Sequence, residues 1–128
     1  MSMITPMMSE NASVSSACGH DLGMCNHIGW PPQDQPSPPF IPNPPSPQDL
    51  IPCVNGWAYF WTNTHLGNFW MFIRKVVIGT SNEVVGCVLL QDQSGQPRYY
   101  IIEINLEYIT SHLCNLQDIY AATDYKYV

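Results

Sequence analysis

The sequence predicts an all-β protein: a small five-stranded antiparallel barrel or sandwich over residues 53–128, preceded by an extended proline-rich N-terminal arm over residues 1–52. Three observations predict it. Ten of the chain's twelve prolines lie between Pro31 and Pro52, and a ring-locked φ without an N–H suits neither a helix interior nor a central strand. From Cys53 onward aromatic and β-branched residues dominate, as in Trp57-Ala58-Tyr59-Phe60-Trp61 and Phe69-Trp70-Met71-Phe72-Ile73; such side chains fit a pleated, half-buried surface. Within that module, apolar alternation recurs at roughly 8–12-residue spacing between turn signals.

Residues 1–17 are polar, carry four methionines and show no period, so they read as flexible or as ordered only by a partner. Residues 18–30 are compact and turn-rich. In residues 31–52 the pairs Pro31-Pro32, Pro38-Pro39 and Pro44-Pro45 favour polyproline II. A rise of about 3.1 Å per residue would carry this stretch roughly 70 Å, as a semi-rigid spacer or lateral arm. Pro36-Ser37-Pro38-Pro39 meets the bare PxxP pattern but lacks the flanking cation of such ligands.

The module's first strand reads as Asn55–Thr62, with Trp57, Tyr59 and Trp61 on one face. A turn at Thr64–Gly67 leads to a second strand, Asn68–Ile78, in which Phe69, Met71 and Ile73 alternate with Trp70 and Phe72. After a turn at Gly79–Asn82 the third strand, Glu83–Gln91, places Val85, Cys87 and Leu89 opposite Val84, Val88 and Leu90. Gly86 in its middle points to a bulge or sharp bend. The polar loop Asp92–Pro97 precedes a fourth strand, Arg98–Asn105. Two readings stay open beyond it. Leu106, Ile109, Leu113, Leu116 and Tyr120 recur at helical spacing, with Asn105 as a possible N-cap. Alternatively a short turn at Leu106–Tyr108 leads to a fifth strand, Ile109–Cys114, which Ile109, Thr110 and Ser111 favour.

The charge balance excludes several classes of function. Only Arg74, Lys75, Arg98 and Lys126 are cationic, against ten acids, for a net charge of −6. Nucleic-acid binding rests on cation–phosphate contacts, and adhesion to an anionic membrane surface rests on basic clusters; neither is expected. No apolar run is long enough for a membrane-spanning helix. Met1–Met8 lack the basic and apolar regions of a Sec signal. The expectation is an extracellular or spore/cell-surface protein that leaves without such a signal, or else a cytoplasmic one.

Five cysteines, Cys18, Cys25, Cys53, Cys87 and Cys114, leave at least one unpaired within the chain. Cys18, His20, Cys25 and His27 form a tight cluster of two thiols and two imidazoles, the donor set of a tetrahedral zinc, although the spacing is not that of a standard finger. Otherwise Cys18 and Cys25 bond to each other or cross-link subunits while the histidines are solvated, and no cofactor is involved. Cys53 and Cys114 bracket the module. A bond between them closes a loop of about sixty residues and contributes about 4 kcal/mol in the chain-entropy model; the other possibility is a bond from either to Cys18 or Cys25 of another subunit. Cys87 reads as a buried free thiol.

Catalysis is not expected. His112 lies two residues from Cys114, and His65 sits in a turn, but a cysteine nucleophile also needs a cleft, an oxyanion hole and an orienting group. Glu103 and Glu107 read as solvated.

The pattern Cys53, Gly56-Trp57, Phe69-Trp70, Val84-Val85-Gly86, Tyr99-Tyr100, Ile104-Asn105-Leu106, Ile109 and Cys114 resembles a group of small uncharacterised proteins of spore-forming Firmicutes, with a proline-rich N-terminal stretch and a cysteine-framed aromatic β segment. The resemblance covers residues 53–114. Val88-Leu89-Leu90 departs from it, standing where that group has further aromatics and arginine. The strand pattern also looks like an Sm-like small barrel, whose members form rings through edge strands, but without the basic residues of RNA contact.

Charged residues make up 11% of the chain, against about 25% in an average soluble domain, and several strands are apolar on both faces. One face can fill a barrel; the other needs cover. Trp57, Tyr59, Trp61, Trp70, Phe72 and Tyr99 are therefore the expected assembly surface. The expected function is a structural, self-assembling subunit of a bacterial filament, coat or surface layer. It would be joined by strand-face burial, N-terminal arm exchange and disulfides through Cys18, Cys25, Cys53 or Cys114. The alternative is a monomeric binding module, zinc-dependent or carbohydrate- or peptide-reading, with a flexible tail.

Overall fold

The computed structural model describes residues 12–15 and 23–115. It holds one antiparallel sheet of six strands: β1 (Ala12–Ser15), β2 (Trp57–Thr62), β3 (Phe69–Val77), β4 (Glu83–Gln91), β5 (Pro97–Asn105) and β6 (Ile109–Cys114). Their order across the sheet is β1-β5-β4-β3-β2-β6. The all-β class and the five module strands are those the alternation predicts. The sixth strand, β1, comes from the polar N-terminal stretch and pairs with β5, Ala12 opposite Ile104 and Ser15 opposite Ile101.

The sheet turns a corner at β3. Its first half, Phe69 to Phe72, pairs with β2; its second half, from Phe72 to Val77, pairs with β4. The register slips between Ile73 and Lys75, so Arg74 is an extra residue, a bulge that bends the strand. Opposite Ile73 stands Gly86, and here the backbones approach so closely that a side chain on Gly86 has no room. The bend suggested by this glycine therefore lies in the partner strand, and Gly86 is what admits it.

One face of the folded sheet forms the core. Ala58 and Phe60, then Phe69, Met71 and Ile73, then Val84 and Val88, then Ile102 and Ile104 are buried together. A four-residue helix, α1 (Pro47–Leu50), starts with Pro47 and a reciprocal cap, Ser46 N–H donating to Asp49 Oδ2 at 2.9 Å while Asp49 N–H donates to Ser46 Oγ at 3.3 Å. A 3-10 turn, Ile51–Cys53, continues it. Together they bring Leu50 and Cys53 into the core.

Of the two readings left open after Asn105, the strand is the one observed. Leu106–Tyr108 forms a single 3-10 turn, capped by Asn105 Oδ1 accepting from the Glu107 N–H at 3.0 Å. β6 then pairs with β2, Trp61 opposite Ser111 and Ala58 opposite Cys114. Leu116 and Tyr120, which the helical reading needed, lie outside the described residues.

Candidate interaction surface

The outer face of the sheet is covered by the chain itself. Residues 23–45 run across it and are fixed at several points. Cys25 is disulfide-bonded to Cys87 of β4. The Tyr99 hydroxyl donates to the Gly29 carbonyl. Trp70 Nε1 donates to the Asp34 carbonyl at 2.9 Å. Asn43 N–H donates to Ser111 Oγ at 2.9 Å, and the Asn43 carbonyl accepts from His112 N–H at 3.1 Å. This last contact also covers the outer edge of β6. From Pro31 to Pro45 the proline-rich stretch forms neither helix nor strand, and it wraps around the module rather than projecting from it as a spacer. Its last part, expected to be extended as well, is helical over Pro47–Leu50 and Ile51–Cys53, because proline is favoured at the first helical position and Ser46 caps it.

Local geometry explains the path. His27 and Gly29 both take positive φ, 62° and 72°, which turns the chain back over the sheet; Gly adopts this conformation without a Cβ penalty. Ile28, between them, is buried with Trp57 and Cys87. Arg74, freed from the ladder by the bulge, reaches the arm. Its Nε donates to the Met24 carbonyl at 2.6 Å, its Nη1 donates to Asn55 Oδ1 at 2.8 Å, and its guanidinium lies 4.9 Å from the centre of the Phe72 ring.

Beneath the arm the aromatic side chains pack edge to face. Trp57 meets Phe72 at 5.3 Å between centroids, Tyr59 meets Trp61 at 4.9 Å, and Tyr59 meets Trp70 at 5.1 Å. Such pairs contribute about 0.5–1.5 kcal/mol beyond burial. Burial raises the pKa of both Tyr59 and Tyr99, so both hydroxyls remain neutral and Tyr99 keeps its proton to donate.

The sequence-predicted site residues divide as follows. Cys53 and Cys114 are bonded to each other, as the bracketing spacing allowed. Cys87, expected as a free thiol, is instead the partner of Cys25; its outward phase on β4 places it under the arm, where Cys25 arrives. That bond leaves Cys25 no thiolate to offer a metal, and His27 is exposed. Cys18 and His20 lie outside the described residues. Among the described residues no group of three or more His, Cys, Asp or Glu side chains assembles around a common point. Cys114, bonded to Cys53, has no thiol for His112 to activate, and the His112 Nδ1 faces the Asn43 carbonyl at 2.7 Å.

Trp57, Tyr59 and Trp61 are buried, and Trp70, Phe72 and Tyr99 are half-buried. These six were expected to face neighbouring subunits. In the single chain the arm covers much of that face, because the same apolar surface that would attract a neighbour is within reach of residues 23–34 on a tether of fixed length. Sequence reasoning missed Arg74, Asp34, Asn43 and Ser111 as the groups that hold the arm. Along residues 23–45 two exposed large apolar sites remain, Trp30 and the bend Phe40-Ile41.

The two disulfides are the chemistry of an oxidising environment. Among the described residues no helix is long and apolar enough to cross a membrane. No protein-family model, no curated protein and no solved structure matches this chain.

Proposed function

We propose that this protein is a structural, non-catalytic subunit that self-assembles by exchanging its N-terminal strand, in a filament, coat or surface layer outside the cell or on a spore. The observation that carries this reading is the pairing of β1 with β5. The edge of the sheet is completed by a strand from the far N-terminal part of the chain, through main-chain hydrogen bonds that any copy can make equally well. Donation of such a strand to the next subunit is a low-cost route to assembly. A head-to-tail exchange that does not close gives a filament. The oxidising chemistry of the disulfides and the 11% charged composition support the setting.

A second reading has its own observation. The arm seals much of the aromatic face within one chain, which favours a monomeric module that presents its arm to a ligand.

Electron microscopy and size-exclusion chromatography of the oxidised protein test the two. Polymers that are lost in Ser13→Pro/Val14→Pro support strand exchange, since one of those two adjacent N–H groups faces β5 and proline removes it. A monomer at every concentration overturns assembly and leaves the binding module.

A further inference from the structure

The arm is anchored by Asp34 to Trp70 and by Asn43 to Ser111. Between these anchors all of residues 35–42 except Pro36 are exposed. The chain bends at Phe40 and Ile41, which are 104% and 75% exposed. Four prolines, Pro36, Pro38, Pro39 and Pro42, flank that bend. Proline has little freedom to lose, so the loop presents its apolar tip at a low entropic cost of docking. No other feature among the described residues presents two adjacent large apolar side chains so openly.

A groove of about 490 Å³ opens elsewhere on the same molecule, between Ile28, Trp30 and Pro32 of the arm and Asn55, Trp57 and Phe72 of the module. Its size falls within the roughly 300–1,000 Å³ of clefts that hold ligand-sized groups. Trp30, 68% exposed, stands at this groove as an uncovered aromatic wall. Aromatic rings in apolar pockets are the usual anchors of interfaces.

We infer that the Phe40-Ile41 tip of one copy docks in the Trp30 groove of a second copy. The inference rests on the self-assembly reading and names a contact additional to strand exchange. Charge argues for a second copy as the occupant. Each chain carries −6, so two copies repel except where acids are absent. Residues 35–48 contain no charged side chain, and none of the groove's lining residues is charged. Both surfaces are thus free of acids on an acidic molecule, one convex and uncharged, one concave with the Arg74 guanidinium bonded to Asn55 and set over Phe72 at its edge. Because tip and groove are different surfaces, the contact is heterologous. Where its rotation does not close into a ring, it propagates head to tail, in keeping with an open polymer.

The test places a photo-crosslinking phenylalanine analogue at position 40 of the full oxidised chain. Phe40 is fully exposed, so the replacement leaves the fold intact. Equal amounts of light and ¹⁵N-labelled protein are irradiated, and mass spectrometry separates links between copies from links within one. The expected result is a link between copies, from position 40 to residues 28–32 or 55–57. Phe40→Glu is expected to weaken association roughly thirtyfold, the effect of truncating an interface anchor, with an unchanged Tm. Assembly without such links, or assembly unaffected by Phe40→Glu, overturns the docking and leaves strand exchange standing. Insertion of the tip into zwitterionic phosphatidylcholine vesicles without links between copies assigns it to lipid and overturns the docking as well. A chain that stays monomeric at millimolar concentration overturns both the docking and the assembly reading.

Discussion

Gly86 of β4 packs against the main chain of Phe72 on β3: a Cβ at position 86 collides with the Phe72 carbonyl oxygen and stands 2.6 Å from Met71 Cγ. The corner of the sheet depends on this approach. Gly86→Ala is expected to destabilise the protein by roughly 1–3 kcal/mol, as overpacking does. The obstacle includes backbone, so shortening Met71 does not relieve it. Chemical denaturation of Gly86→Ala and of Gly86→Ala/Met71→Ala checks this; a double variant as stable as Met71→Ala alone contradicts it.

The bond between Cys25 and Cys87 fixes the arm to the outer face across a separation of 62 residues. Replacing the pair with Cys25→Ser/Cys87→Ala is expected to cost about 4 kcal/mol in the chain-entropy model. Tryptophan emission should shift to the red as the arm loosens over Trp57 and Trp70. Denaturant titration measures the first, fluorescence the second. An unchanged midpoint would mean that hydrogen bonds alone hold the arm.

Arg74 binds the arm and the Asn55 side chain at once. Lysine keeps the charge but not the planar fork of donors. Arg74→Lys is therefore expected to cost roughly 1.5–3 kcal/mol, the range for a hydrogen bond from a charged group. Hydrogen exchange at residues 24–28 should accelerate while exchange in β5 does not.

Glu83 adds a pH dependence opposite in sign to that of Asp49 and Asp92, whose carboxyls are held below their ordinary value by hydrogen bonds from Ser46 and Ser94. The pKa of Glu83 is raised above 4.5, first by burial and then by the charge of Glu103 and the hydrogen bond between the two carboxyls. The folded state thus binds more protons than the unfolded chain between 4.5 and the raised value. Stability falls as pH rises through that window. Glu83→Gln removes the ionised form, so its Tm should exceed that of the parent at pH 7 and equal it below about pH 4. Thermal melts across that range check the sign, and a lower Tm at pH 7 would reverse it.

How far the sequence was legible depends on the range of the interaction concerned. Phe69, Met71 and Ile73 could be phased against Trp70 and Phe72 because the period of a strand is local. The last strand stayed ambiguous because Leu106 and Ile109 also fit helical spacing, and the 3-10 turn that separates them is only Leu106–Tyr108. Cys53 and Cys114 stood out by bracketing the module. Cys87 did not, since its partner depends on where the arm travels. The prolines from Pro31 to Pro45 keep the chain out of helix and sheet without giving it a destination, and Pro47, at the first position of α1, opens a helix instead. The path is set by distant groups, Trp70 on Asp34 and Ser111 on Asn43, which no local pattern announces. The bulge at Arg74 was hidden for the same reason: it is a mismatch between two strands, not a property of one.

The two disulfides interlace along the chain, 25 with 87 and 53 with 114. A protease that nicks the backbone once, anywhere between Cys25 and Cys114, leaves every fragment tethered to the rest. Damage of this kind separates no piece until the sulfurs are reduced. A molecule exposed to hostile surroundings would thus survive a wound as one body, and only a reducing gel would reveal the scar.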